Sequence, residues 1–187
     1  MTTNRPNLRR YAAYALLAAI IAAGLIIAVV ARPAHGATVP HRCYTPNLVL
    51  HVHRAPGGAY TGHTTHLLSL TNTSSTACSL FGYPGVSAAS APAGVQIGAA
   101  ATRNPVVTPQ LVIVRPGGSA WALLTVADPG LWPPAYCGPT TAGAVRVYPP
   151  GAYDPLARWW LLPTCVHDRA HVLAITVVTA NPRALTG

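Results

Sequence analysis

The sequence contains no lysine and no glutamate, and its only acidic residues are Asp128, Asp154 and Asp168. Charged residues make up 8% of the chain, against about 25% in an ordinary soluble domain. That scarcity excludes most carboxylate chemistry. Glycoside hydrolysis normally needs two carboxylates facing one another across the scissile bond, and here Asp128 and Asp154 each precede a proline in a turn-like stretch. There is no Gly-x-Ser-x-Gly elbow and no phosphate-cradling glycine loop followed by lysine. His167-Asp168 beside some distant serine is too generic a pairing to define a triad. The chain is expected to be no enzyme and to carry no cofactor. Methionine is confined to Met1, which removes methionine-based copper carriage. The absence of a Cys-x-x-Cys pair removes zinc-ribbon and thioredoxin-like readings.

The formal charge is +9 at pH 7, and it arises from missing acids. Arg5, Arg9, Arg10 and Arg32 flank one hydrophobic run, while the other arginines are scattered singly from Arg42 to Arg183. Nucleic-acid binding, which needs basic residues clustered on one face, is not expected. A mildly basic surface can still favour anionic wall polymers or lipid head groups.

Tyr11 to Ala31 is uncharged over about 21 residues, roughly 30 Å as a helix and enough to cross a bilayer core. The arginines before it keep the N-terminus cytoplasmic by the positive-inside rule. The expected organisation is a cytoplasmic tail (1–10), a transmembrane anchor or signal helix (11–31), a linker (32–42), an extracytoplasmic domain (43–180) and a C-terminal tail (181–187). The length of the run favours a retained single-pass membrane anchor over a cleaved secretory leader. The alternative is a protein secreted after cleavage before Ala37, where Ala34 and Gly36 are the small flanking residues. Pro40-His41-Arg42 before Cys43 does not resemble a lipobox.

Half of the residues are hydrophobic (51%), yet there are 19 prolines and 16 glycines. A real core interrupted by many turns favours short strands over long helices. Nine runs read as strands: Leu48–His53, His63–Leu70, Cys78–Tyr83, Val95–Gly98, Leu111–Val114, Ala120–Val126, Ala144–Tyr148, Trp159–Leu162 and Val172–Val178. Arg115-Pro116-Gly117-Gly118 is expected to join two of them as a hairpin. The predicted fold is all-β, an immunoglobulin-like antiparallel β-sandwich with two disulfides after the N-terminal helix. An even count of cysteines outside the membrane implies disulfides. Of three possible connectivities, the sequential one, Cys43 with Cys78 and Cys137 with Cys165, is preferred; each bridge closes a loop of roughly 30 residues and contributes about 3–4 kcal/mol.

Further motifs suggest a family. In order along the chain stand Gly62-His63, Leu70-Thr71-Asn72, the run Cys78-Ser79-Leu80-Phe81-Gly82-Tyr83-Pro84-Gly85-Val86, Gly94-Val95-Gln96-Ile97-Gly98, Pro116-Gly117, Cys137 and Cys165. This pattern, covering nearly all of 43–179, resembles the actinobacterial exported family known as domain of unknown function 4232. The resemblance implies export, a four-cysteine framework and a β-sandwich, and it brings no catalytic residues. Read physically, Pro84 restricts Tyr83 to an extended backbone, and Tyr83 is expected to pack over a strand end with its hydroxyl bonded to backbone.

Two groups of residues are candidate sites. His51 and His53 share one face of a strand, and His63 and His66 follow a glycine-rich link, so four imidazoles across a hairpin would suit copper or zinc. This extracytoplasmic metal module is the alternative function, and half-exposed histidines at strand ends are the simpler reading. The second group is aromatic: Trp132, Tyr136, Tyr148, Tyr153, Trp159 and Trp160. Trp159 and Trp160 must point to opposite faces of a strand, one inward, against a disulfide, and one outward. The outward ring with the loop aromatics would form a stacking surface for a cell-wall polymer or an envelope protein. Asn72-Thr73-Ser74 fits a glycosylation triplet but is read as a plain turn. The leading functional expectation is a non-enzymatic envelope module for binding or structure, held to the membrane by its N-terminal helix.

Overall fold

A computed structural model describes residues 38–186; the hydrophobic leader and most of its linker lie outside the described residues. Eleven strands are present: β1 (Leu48–Tyr60), β2 (His63–Asn72), β3 (Cys78–Leu80), β4 (Gly85–Ala89), β5 (Gln96–Ile97), β6 (Thr102–Arg103), β7 (Val112–Val114), β8 (Ser119–Ala127), β9 (Pro139–Tyr148), β10 (Leu156–Cys165) and β11 (Leu173–Ile175). A single-turn helix, α1 (Pro134–Cys137), and 3-10 turns at Thr45–Asn47, Pro129–Leu131 and Pro182–Leu185 complete the described chain. The proline at the start of each of these turns supplies a preset φ where no backbone donor is needed.

The strands form a five-stranded sheet in the order β1-β2-β8-β11-β6, a four-stranded sheet in the order β10-β9-β4-β5, and a β3-β7 pair. Alternation decides which residues meet. Leu48, Leu50, Leu68, Leu70, Ala122 and Leu124 of the larger sheet share one buried core with Val86, Ala88, Val145, Val147 and Leu162 of the smaller. The intervening residues of β1 and β2 face the other way, where Leu67, Ala55 and the C-terminal Leu185 form a minor apolar cluster with Trp121, Leu123 and Val107. Both disulfides sit in the main core, and they are the sequential pairs Cys43–Cys78 and Cys137–Cys165. Cys43 lies just before β1 and Cys78 follows the end of β2, whereas Cys137 precedes β9 and Cys165 ends β10. Each bridge therefore secures one end of the body.

The structure departs from the expectations in four places. β1 does not stop at His53 but runs to Tyr60 through Pro56, Gly57 and Gly58, because a bulge on an edge strand absorbs them. β7 is not the hairpin partner of β8: it pairs with β3, while β8 lies between β2 and β11. The Pro116-Gly117 turn instead carries the chain between sheets, held by Gly117 N–H donating to the Asn72 carbonyl and Asn72 N–H to that of Gly118. The sheets are not wholly antiparallel, since β11 pairs with β6 in parallel. Finally, β4 and β6 are strands that no period-two pattern announced. β4 reads GVSAA, and small residues buried on both faces leave no alternation.

Tyr83 also differs from expectation. Its ring carries the Arg103 guanidinium, 5.4 Å from the centroid. Gly82 adopts a φ of 98°, a value that side chains resist, and its carbonyl accepts from Val178 N–H.

Candidate functional site

β1 is an edge of the five-stranded sheet and β10 an edge of the four-stranded one, and the two edges pack against each other. Two adjoining clefts open along the β1–β2 hairpin, and Thr64 lines both. The first, about 350 Å³, lies at the hairpin tip between Tyr60, His63 and Thr64 on one side and Asp128, Pro129 and Pro163 on the other. The second, about 420 Å³, lies beside the β1 bulge and is lined by Arg54, Gly57, Gly58, Thr64 and His66 among others.

The tip is built from a two-residue turn. Gly62 has a φ of 71°, and a Cβ there would stand 3.0 Å from the Leu131 side chain, so glycine satisfies both the turn and the packing. The Gly62 carbonyl accepts from Asp128 N–H at 2.8 Å, which ties the hairpin to the loop after β8. Asp128 Oδ1 in turn accepts from Gly130 N–H at 2.8 Å and caps the following 3-10 turn. Tyr60 stacks on His63 with ring centroids 4.8 Å apart and planes within 11°. His63 Nδ1 lies 3.1 Å from the Thr61 carbonyl oxygen. A carbonyl only accepts, so Nδ1 carries the proton and Nε2 is left as the acceptor in the neutral ring. The first cleft thus offers an aromatic stack, a hydroxyl and a carboxylate.

The second cleft follows from register. Arg54 stands opposite His66 and Ala59 opposite Thr64, so Ala55 to Gly58 on β1 oppose Thr65 alone on β2. The surplus residues bow the edge strand outward and open the cleft. A Cβ on Gly58 would lie 2.5 Å from the Ala55 carbonyl oxygen, so the bulge needs glycine there. His66 shares the inward face of β2 with Leu68 and Leu70 and meets Trp160 edge-on at 4.7 Å. Burial, with the Arg54 guanidinium as a second cause, lowers its pKa below the usual imidazole value.

The four histidines proposed as metal ligands do not converge, and this corrects the metal reading. His51 and His53 project from the outer face of β1, with ring centroids 6.1 Å apart. His53 there bonds Ser69 Oγ through Nε2 at 2.9 Å and faces the Trp121 ring at 5.3 Å. His66 points to the opposite, inner face, and His63 is stacked on Tyr60 at the tip. Among the described residues no group of three or more His, Cys, Asp or Glu is placed to hold a metal ion. This placement does not support the copper or zinc module.

The six aromatics are likewise dispersed. Trp132 packs half-buried against the core. Tyr136 is engaged in locking its own loop: its hydroxyl donates to the Arg169 carbonyl, Arg169 Nε and Nη2 donate to the carbonyls of Tyr136 and Ala135, and the guanidinium covers the ring. Tyr148 lies across from Gly85, within van der Waals distance of where a Cβ would be. Tyr153, 95% exposed, lines a separate cleft with Arg42 and Tyr44 at the other end of β9, roughly 30 Å from Tyr136 by strand length. Trp159 is 70% exposed beside Gly143 on the outer face of its sheet, and Trp160 turns inward, onto His66 and not onto a disulfide. The residues that line the groove and were missed are Arg54, Tyr60, Thr64 and Asp128. Parity offered one signal: Arg54 continues the series Leu48, Leu50, Val52, whose burial falls off along β1 until Arg54 is exposed at the bulge.

A family model described as "Domain of unknown function (DUF4232)" matches residues 43–178. No curated protein and no solved structure matches the chain.

Proposed function

Because the chain belongs to the DUF4232 family of domains of unknown function, we propose a function from its geometry: an exported, non-enzymatic cell-envelope module that binds a glycan-containing wall polymer. The groove between the β1–β2 hairpin and β10 carries this reading. Its Tyr60–His63 stack gives a sugar ring an apolar face to lie near, and Thr64, Asp128 and His63 Nε2 are polar groups of the kind that orient hydroxyls. An elongated groove running past Thr64 suits a chain better than a compact metabolite. Export is supported by the uncharged run after Arg10 and by cysteines that are all paired among the described residues. The two facing sheets support an immunoglobulin-like sandwich, with its loops gathered at the two ends.

Co-sedimentation of the full chain with purified bacterial cell-wall sacculi tests the proposal. The protein is expected in the pellet, and Tyr60→Ala, at a side chain 57% exposed and so outside the core, is expected to reduce retention several-fold. A wild-type chain left in the supernatant, or a variant retained equally well, would overturn it.

A further inference from the structure

We propose that the Arg54 end of the groove is an anion subsite that takes a carboxylate or phosphodiester group of the bound polymer. The inference deepens the glycan reading and rests on it. Three observations lead there. Among the described residues Arg54 is the only charged one that lines this cleft, and no carboxylate lines it with Arg54. Secondly, His66 stands directly across the strand pair from Arg54 on the same face, so an anion entering the cleft meets a planar five-donor fork and an imidazole N–H together. Lastly, the cleft borders the bulge from Ala55 to Gly58, where Gly58 packs so closely on Thr65 that a Cβ there would lie 2.8 Å from the Thr65 carbonyl oxygen, and Gly57 faces open space.

The neighbouring groups agree with this assignment. From β10, Trp160 packs edge-on against His66 and holds the imidazole in place. Thr64 lines both this cleft and the one at the hairpin tip, so a polymer lying along the hairpin would reach both. Burial, and after it the Arg54 charge, lowers the His66 pKa, and an anion between the two side chains offsets the second of these. Binding then favours the imidazolium and strengthens as pH falls. Arg54 from β1 and the uncharged Trp160 from β10 are the groups facing His66 in this balance.

The test titrates the full chain in detergent with oligosaccharides of N-acetylglucosamine alone and with the same backbone carrying lactyl carboxylates on alternate sugars. A glycerol-phosphate oligomer and vesicles containing phosphatidylglycerol are further arms. The carboxylated glycan is expected to bind at least roughly tenfold more tightly than the neutral one. Arg54→Gln should abolish that preference, so that the carboxylated and neutral glycans bind equally. The exposed Arg183→Gln serves as the charge control, and Tyr60→Ala should weaken both glycans. A rise in the His66 pKa on adding the anionic glycan, read by NMR, is the accompanying signature. Arg54-dependent binding of the glycerol-phosphate oligomer alone would assign the phosphodiester as the natural group. Equal affinity for neutral and carboxylated glycans, with no binding of the phosphate oligomer, would overturn the subsite and spare the glycan reading. An equal loss in Arg183→Gln would also overturn it. Vesicle binding without glycan binding would overturn both.

Discussion

Asn72 illustrates how much one buried side chain can hold. It is 0% exposed, its Nδ2 donates to the carbonyls of Thr76 and Val114, and its Oδ1 accepts from the backbone and hydroxyl of Ser74. The amide that a glycosylation triplet would modify is thus consumed in closing the 72–76 turn, so the plain turn fits the geometry. His66 carries the pH-dependent prediction at this scale. Its folded-state pKa lies below the 6.5 of a free imidazole because of burial and then Arg54. Between the two values the unfolded chain binds more protons, so the contribution of His66 to stability is complete above about 6.5 and is lost as pH falls through the folded value. Urea denaturation should therefore show stability dropping as pH falls below about 6.5, with part of that slope absent in His66→Gln. An unchanged slope in the variant would show that His66 is not responsible. The shared face of Arg54 with Leu50 and of His66 with Leu68 could be read from period-two alternation, but their juxtaposition depends on the pairing register of β1 with β2.

At the scale of elements, the two disulfides act on different ends of the body. Cys43–Cys78 spans 35 residues and Cys137–Cys165 spans 28, so loop closure assigns each about 3–4 kcal/mol of stabilisation. Replacing either pair by serines should lower the unfolding free energy by about that amount, measured by denaturant titration under oxidising conditions. A second consequence separates the pairs. Loss of Cys137–Cys165 loosens the end that holds Asp128 and the hairpin tip, and should weaken sacculus binding more than loss of Cys43–Cys78; equal effects would argue against a site at that end. Pairing of this kind was open to sequence reasoning because successive cysteines bracket neighbouring strands. The β7–β8 hairpin was not, since Pro116-Gly117 looks the same whether it folds a strand back on its neighbour or passes the chain to another sheet. What decides is the anchorage of that turn on Asn72, distant in sequence.

For the whole molecule, the surplus of arginine over aspartate and the uncharged run after Arg10 bear on where the protein works. If the run carries the chain out of the cytoplasm, protein isolated from a native host should appear in the membrane or extracellular fraction with no titratable thiol. Four reactive thiols, or a cytosolic location, would overturn export. An oxidising compartment fits a domain whose cystines lie wholly inside its core. The dispersal of the aromatics shows the limit of composition at this scale. Tyr136, Tyr148, Tyr153 and Trp159 are near one another in sequence, yet a strand as long as β9 separates its two ends by roughly 30 Å.

By itself the sequence determined the all-β class, the density of turns, the basic surplus and the side of each strand on which a residue falls. These are local properties, set by backbone preferences and a two-residue repeat. The tertiary structure alone decided that the aromatics scatter, and that Arg54 and His66 line one cleft beside the one lined by Tyr60 and Asp128. Such assemblies depend on which edges pack together and on a bulge that shifts register by several residues, and no short stretch of chain encodes either.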